Sequence, residues 1–191
     1  MKSGARALGI AESYQNETST LCGAVVSGKG IVDGLGFTTI SVGGHDVTDG
    51  ILELWESVGR PDVRFILVSG VALAWYNIVD LDRIASSVPV PVLAVTYEES
   101  DGLQNAIEQE FEGVAAERRR TRIEGLPPRR RYDLGQETVY CRAANAAPED
   151  VQSMLQAVTR SGGRPEPVRV ARLAARAADR YRDRWSPTGE D

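Results

Sequence analysis

The sequence predicts a mixed α/β fold: an antiparallel meander of three strands, then a parallel β-α-β unit, with helices on both faces of the sheet. Three observations carry this. Val63 to Val68 (VRFILV) is nearly all β-branched or large and apolar, shows no alternation and is too short for a helix, the pattern of a mid-sheet strand buried on both faces. Val90 to Thr96 (VPVLAVT) repeats that pattern after a short helical stretch, and strand, helix and strand joined this tightly make a parallel crossover. Upstream of both, three strand-like runs are separated only by turn residues, as in an antiparallel meander.

In chain order, Ala5 to Ala11 and Thr20 to Val26 are the first two strands, joined by the polar loop ESYQNETS. The turn Ser27-Gly28-Lys29-Gly30 leads into a long strand from Ile31 to Val42. Its Gly-Lys-Gly lacks the second glycine and Lys-Ser/Thr spacing of a phosphate-binding loop and reads as a hairpin turn. Ile51, Leu52, Leu54, Trp55 and Val58 share one helical face, which predicts a helix over Thr48 to Val58 with Asp46 or Thr48 at its N-cap and Asp49 in its first turn. The central strand then stops at Ser69-Gly70, and the chain restarts as a helix over roughly Asp80 to Ser87. The intervening loop lies at the carboxyl end of a central strand, where open α/β sheets bind ligands.

After Asp101-Gly102 a helix runs to about Phe111, its face marked by Leu103, Ala106, Ile107 and Phe111. Ala115 to Arg131 carries seven arginines around a Pro-Pro break and few residues able to fill a core, so it reads as a helical end followed by an exposed linker. A strand follows at Thr138 to Ala143. A helix then opens with Pro148 in its first turn and shows Val151, Met154, Leu155 and Val158 on one face. The last helix, Val168 to Trp185, has Val170, Leu173, Ala174, Ala177, Tyr181 and Trp185 on one face. Arg169, Arg172, Arg176, Arg180 and Arg184 make a neighbouring stripe, and SPTGED is a polar tail. The expected organisation is a core over 1–114, an Arg-rich linker over 115–135 and a strand-helix-helix extension over 136–191 that packs on the core.

The net charge of −5 is unevenly divided: residues 1–112 hold six basic and sixteen acidic residues, residues 113–191 sixteen arginines and eleven acids. No apolar run is long enough to span a bilayer, and MKSGARALGI lacks the hydrophobic stretch of a signal peptide, so a soluble cytoplasmic protein without membrane contact is expected. Cys22 and Cys141 are far apart, each inside a strand-like run, and read as buried free thiols. His45, the one histidine, has no Cys or His at ligand spacing and reads as an exposed loop residue.

The order of elements resembles the ribonuclease H-like architecture, and four strings sharpen the resemblance. LGIAES on the first strand, ISVGGHDVTD before the first helix, ILVSGVALAWYNIVD around the central strand and GGRPEPVRVARLAARA near the C-terminus resemble an archaeal family of uncharacterised proteins related to endonuclease V. In that family the first strand ends in Gly-Ile-Asp-Asp, the string before the helix contains Val-Asp-Gly-Leu-Asp-Ala-Thr, and the central strand ends in Leu-Asp-Gly-Ile. The resemblance implies metal-binding acids at the ends of the first and central strands. This sequence departs at each place, with Ala11 followed by Glu12, with Gly43 and with Ser69, while Asp46, Thr48, Asn77 and Asp80 keep the family pattern. Nucleases of this architecture hold one or two divalent ions between carboxylates. Alanine cannot ligate a metal, and a serine hydroxyl is a weak neutral ligand.

The resemblance therefore implies a nucleic-acid-binding protein with a degenerate metal site and weak or absent nuclease activity. If it cleaves, Glu12, Asp46 and Asp49 are the catalytic residues, with Glu12 and Asp46 holding Mg²⁺ or Mn²⁺. The bland alternative is that Glu12 points to the strand face opposite Ala11 and that Asp46 and Asp49 only cap and charge a helix start. Trp75 and Tyr76 can stack on a base and Asn77 can hydrogen-bond a base edge, or they plug the former cleft while Asn77 ties down its loop. Arg118, Arg119, Arg120, Arg172 and Arg176 are candidate phosphate contacts, although such runs also serve as solvated faces or pair across a subunit interface. The reading from a different class is a non-catalytic interaction or scaffold protein, with Ala74 and Trp75 filling the cleft and a homodimer as one partner arrangement.

Overall fold

Three adjacent hydrogen-bonded strands open the chain: β1 (Arg6–Tyr14), β2 (Thr18–Ser27) and β3 (Val32–Ser41). The computed structural model describes residues 5–99, 102–135, 137–160 and 163–185, without the side chain of Trp185; the polar tail expected at 186–191 lies outside the described residues. The meander is longer than its apolar residues suggested, because residues 12–14 and 18–19, expected as loop, continue the ladder. Their hydroxyls have partners there: Ser19 donates to Glu12 at 2.7 Å and Ser13 to Asp179 at 3.1 Å. A polar residue fits a strand end when its hydrogen bonds are met.

Helix α1 (Val47–Val58) follows, then β4 (Val63–Val68), a small hairpin of β5 (Ala72–Leu73) and β6 (Asn77–Ile78), α2 (Leu81–Ser87) and β7 (Val92–Thr96). Beyond them come α3 (Leu103–Glu110), α4 (Gly113–Glu124), β8 (Arg130–Leu134), β9 (Glu137–Ala144), α5 (Pro148–Val158) and α6 (Glu166–Trp185). The main sheet has seven strands among the described residues, in the order β3-β2-β1-β4-β7-β9-β8. β1, β4 and β7 run parallel, and the flanking pairs are antiparallel. The expected meander and crossover are present, and β4 sits mid-sheet. One sheet thus takes in strands from each of the three stretches into which the sequence divides.

Alternation along the strands divides the core between two faces. Leu8, Ile10, Leu21, Ile66 and Val68 face α1 and α2, together with Ile51, Leu54, Leu81 and Ile84. Ala7, Phe65, Leu67, Leu93 and Val95 face the other way, against Val151, Leu155 and Val168.

Two expectations need correcting. The Arg-rich stretch is helical through α4, with Arg119 and Ile123 buried, and its end, from Arg130, is a strand of the sheet. In α6 the buried face is Val168, Ala171, Ala175 and Asp179, whereas Leu173, Ala177 and Tyr181, on the apolar face read from the sequence, are exposed. Small residues win there because the helix packs very close: Ala171 and Ala175 lie against Ala11, Cys22 and Ala24, and a Cβ at Gly9 would overlap the Pro167 carbonyl. A polar tether adds to this contact, with Ser13 and Gln15 donating to Asp179 at 3.1 and 3.2 Å and Arg182 donating to Thr20 at 2.7 Å. Helix spacing alone does not say which of two neighbouring faces docks.

Candidate functional site

β4 ends beside β1, where Ser69 N–H donates to the Ile10 carbonyl at 2.9 Å, and Gly70 turns the chain with φ of 98°. The β5–β6 hairpin then closes through Ala74, Trp75 and Tyr76, with φ of 40°, 60° and 59°. Three consecutive non-glycine residues in the left-handed region cost about 1–2 kcal/mol each, so the surroundings must enforce the turn. Gly43 N–H donates to the Ala74 carbonyl at 2.7 Å. Arg119 Nε donates to the Tyr76 carbonyl at 3.0 Å, and its other nitrogens reach the carbonyls of Ala115 and Gly43. The guanidinium stacks 3.8 Å over the Phe111 ring, whose edge contact with Tyr76 in turn meets Trp75. Burial, and after it Arg118, lowers the pKa of Arg119. Arg119 thus spends its donors on the fold. Trp75 remains 45% exposed.

A second polar knot ties this hairpin to α1. Asn77 is fully buried; its amide nitrogen donates to Asp46 at 2.6 Å and to the Ser41 carbonyl at 3.0 Å, and its oxygen accepts from Val47 N–H at 3.1 Å. Asp46 occupies the N-cap position of α1 without capping it, because its carboxylate takes the Ser41 N–H and hydroxyl instead. Burial works against its charge, but the hydrogen bonds from Asn77 and Ser41 outweigh it and hold the carboxyl below the usual range. Thr48 accepts from Asp80 N–H at 3.0 Å, and Asp80 caps α2 through Arg83 N–H at 3.0 Å. The residues matching the family pattern therefore form one structural lock between α1, the hairpin and α2.

The expected catalytic acids each have other partners. Ile10 faces α1 and Ala11 faces α6, so alternation puts Glu12 on the α1 side, where it accepts from Ser19. Asp49 is exposed and pairs with Arg83. Among the described residues no group of three or more His, Cys, Asp or Glu side chains is placed to hold a metal ion. His45 is exposed; partial burial and the charges of Arg119, Arg118 and Arg122 lower its pKa. Arg118 is exposed, and Arg120 pairs with Glu117.

A different set of residues meets at the carboxyl ends of β4 and β7. Ser69 and Tyr76 open onto a cavity of about 1090 Å³ whose walls include Tyr97, Tyr140, Arg129 and Arg172. Arg129 stacks 4.3 Å from the centre of Tyr140 and donates to Thr96 at 3.1 Å. A smaller recess of about 200 Å³ adjoins it, bounded by Ser69, Tyr97, Arg164, Arg172 and Arg176. Arg164 lies 5.0 Å from the centre of the Tyr97 ring. Burial raises the Tyr97 pKa against the opposing charges of Arg164 and Arg172, which keeps its hydroxyl protonated. Of the expected binding residues, Tyr76, Arg172 and Arg176 meet here, whereas Asn77 and Arg119 are committed to the fold. Tyr97 and Arg164 were missed by sequence reasoning. The rule that ligands gather beyond strand carboxyl ends applies equally to β7 and could have pointed to Tyr97; Arg164 follows a glycine pair and carries no signal of its own.

Comparison with known proteins bears on this geometry. The profile of the endonuclease dU family matches residues 3–179. A UPF0215 protein of Pyrobaculum calidifontis is 29% identical over 182 residues, covering 94% of this chain and all of that one. The crystal structure of an Archaeoglobus fulgidus protein of unknown function is 28% identical with a TM-score of 0.80, covering 91% of this chain and 98% of that one. Endonuclease V of Ciona intestinalis, solved with a DNA containing an inosine, shares the fold at a TM-score of 0.59 and 13% identity, covering 93% of this chain and 86% of that one.

Proposed function

The chain belongs to the endonuclease dU family, and on that premise we propose that it binds nucleic acid in the cavity beyond β4 and β7, with weak or absent metal-dependent cleavage. Its fold is the ribonuclease H-like fold of endonuclease V. The carrying observation is the lining of the cavity, where tyrosines at 76, 97 and 140 stand among arginines at 129 and 172. Tyrosine rings stack on bases and guanidinium groups pair with phosphates, the two components of single-strand recognition.

The metal that the resemblance implies, Mg²⁺ or Mn²⁺, does not fit the residues present. Ala11 is sealed under α6, Ser69 faces arginines, and Glu12 and Asp46 each serve a different hydrogen-bond network. A divalent cation is repelled by such a wall, and Mg²⁺ requires near-octahedral oxygen ligation.

The test is binding and cleavage of labelled single- and double-stranded DNA and RNA, unmodified or carrying deoxyuridine or inosine, in EDTA, Mg²⁺ and Mn²⁺. Saturable binding with a steep salt dependence and little or no product supports the reading. Efficient metal-dependent product formation that disappears in Glu12→Gln or Asp46→Asn overturns the degenerate site.

A second reading, a homodimer, rests on a separate observation. β3 is an edge strand with Leu35 and Phe37 48% and 49% exposed beside Ile31 and Val32, and cross-strand pairing to Cys22 and Ala24 puts Leu35 and Phe37 on the α6 side of the sheet. A long apolar edge of this kind invites pairing with its twin. Such a dimer serves an interaction or scaffold role without requiring chemistry in the cavity.

A further inference from the structure

We infer that the recess between Ser69, Tyr97 and α6 is a phosphate-binding subsite, with arginines gathered beside Ser69, one position where the resemblance implies an acid. This deepens the nucleic-acid reading and rests on it for the source of the phosphate.

Arg172 and Arg176 lie one helical turn apart on α6, and Arg164 reaches the same recess from the preceding loop. None of the three makes an ion pair or a hydrogen bond among the described residues. Their neighbour Arg169 differs, being neutralised by Glu166 at 2.8 and 2.5 Å. Like charges at i and i+4 destabilise a helix. Three guanidinium groups around one small recess therefore leave a net positive site without an acidic partner among the described residues. Two neutral donors complete it: the Ser69 hydroxyl at the end of the central strand and the Tyr97 hydroxyl, which stays protonated in its buried setting.

The chemistry of this set selects a phosphate. Guanidinium groups present paired N–H donors that match phosphate oxygens, and hydroxyl donors supply the remaining bonds. The recess of about 200 Å³ accepts a phosphate group but not a whole nucleotide, and it opens beside the larger tyrosine-lined cavity, where the attached nucleoside would extend. The phosphate comes either from a strand terminus or from an internal phosphodiester.

The experiment measures oligonucleotide affinity by fluorescence anisotropy for the full chain and for Arg172→Gln/Arg176→Gln. Arg64→Gln, exposed at the other end of β4, serves as control. Each protein is titrated with 5′-phosphorylated and 5′-hydroxyl strands and with inorganic phosphate as competitor, and thermal shift by phosphate alone is read in parallel. The double variant is expected to lose about tenfold or more in affinity and to show a shallower salt slope by about 0.7 per contact removed. The control is expected to match the wild type. Tighter binding of the 5′-phosphorylated strand, with competition by phosphate, identifies a terminal phosphate; equal binding of both strands identifies a phosphodiester. If the double variant binds like the wild type, the subsite is overturned while the nucleic-acid reading stands. If no strand binds but phosphate stabilises the wild type and not the variant, the subsite stands and the nucleic-acid reading falls. Loss of both effects in the wild type overturns the subsite.

Discussion

Arg119 Nε donates to the carbonyl oxygen of Tyr76 at 3.0 Å, and through this bond helix α4 grips a left-handed turn that the turn's own sequence does not favour. An arginine from the most basic stretch of the chain is thereby removed from the surface. Arg119→Met keeps apolar contact with Phe111 but strips the carbonyls of Tyr76, Gly43 and Ala115 of a charged donor. A loss of about 2–4 kcal/mol is expected, since bonds to charged groups are worth about 1.5–3 kcal/mol each and part is recovered by water. The urea midpoint measures it. An unchanged midpoint means that Phe111 packing, not hydrogen bonding, holds the turn.

Asn77 supports a second prediction. Asn77→Ala leaves the buried Val47 N–H unpaired and should cost about 2–3 kcal/mol. It also removes a bond that favours the charged form of Asp46. Because the Asp46 pKa is depressed in the folded state, its contribution is present above the unfolded value of about 3.9 and is lost as pH falls through the folded pKa. Melting temperature against pH should therefore fall on the acid side in the wild type, and less steeply in Asp46→Asn and in Asn77→Ala.

The closeness of α6 to β1 yields a third. Gly9→Ala forces the Cβ into the Pro167 carbonyl and should cost about 3 kcal/mol, the upper end for overpacking, since backbone cannot step aside. Ala11→Asp, which restores the acid of the family pattern, buries a carboxylate against Ala171 and Ala175 and should cost about 3–5 kcal/mol. Ser69→Asp is half-buried and faces arginines, so its stability should change little. Chemical denaturation compares the three; a stable Ala11→Asp protein further stabilised by Mg²⁺ would show that the metal site can still assemble.

The thiols supply a fourth. Burial pushes Cys22 and Cys141 up to about 12, and neither is paired. Both should resist a thiol-specific reagent in the native protein and react at the rate of unfolding. Rapid labelling of either without denaturant would contradict their burial.

The β3 edge makes a fifth. Leu35→Glu/Phe37→Glu alters side chains that are half exposed, so folding should persist. If the twin edge covers this strand, sedimentation should report twice the 20.7 kDa of one chain for the wild type and a single chain for the variant. A wild-type monomer removes the homodimer reading.

Much of the fold was legible because burial leaves a direct mark on composition. Val63–Val68 had to be an interior strand, and the α1 face from Ile51 to Val58 followed from helical spacing. Ala11, Gly43 and Ser69, standing where the resemblance implies acids, were equally visible, since they needed only residue types. In α4 and α6, however, the pattern misled. An arginine reads as surface unless its partners are known, and Arg119's partners lie 76 and 43 residues away at Gly43 and Tyr76. Leu173 and Tyr181 look more like core than Ala171 and Ala175, yet only alanines let the helix approach a strand that carries Gly9.

The sequence alone determined the strand order of the meander and crossover, the family resemblance and the residue types at the strand ends, because each depends on residue identity or local spacing. Only the tertiary structure decided that Asn77 and Arg119 serve the fold, that Glu12, Asp46 and Asp49 bond to different partners, and that Ser69, Tyr97, Arg164, Arg172 and Arg176 share one recess. Those outcomes depend on which side chains long-range packing brings within bonding distance, and a chain's local pattern carries no such distances.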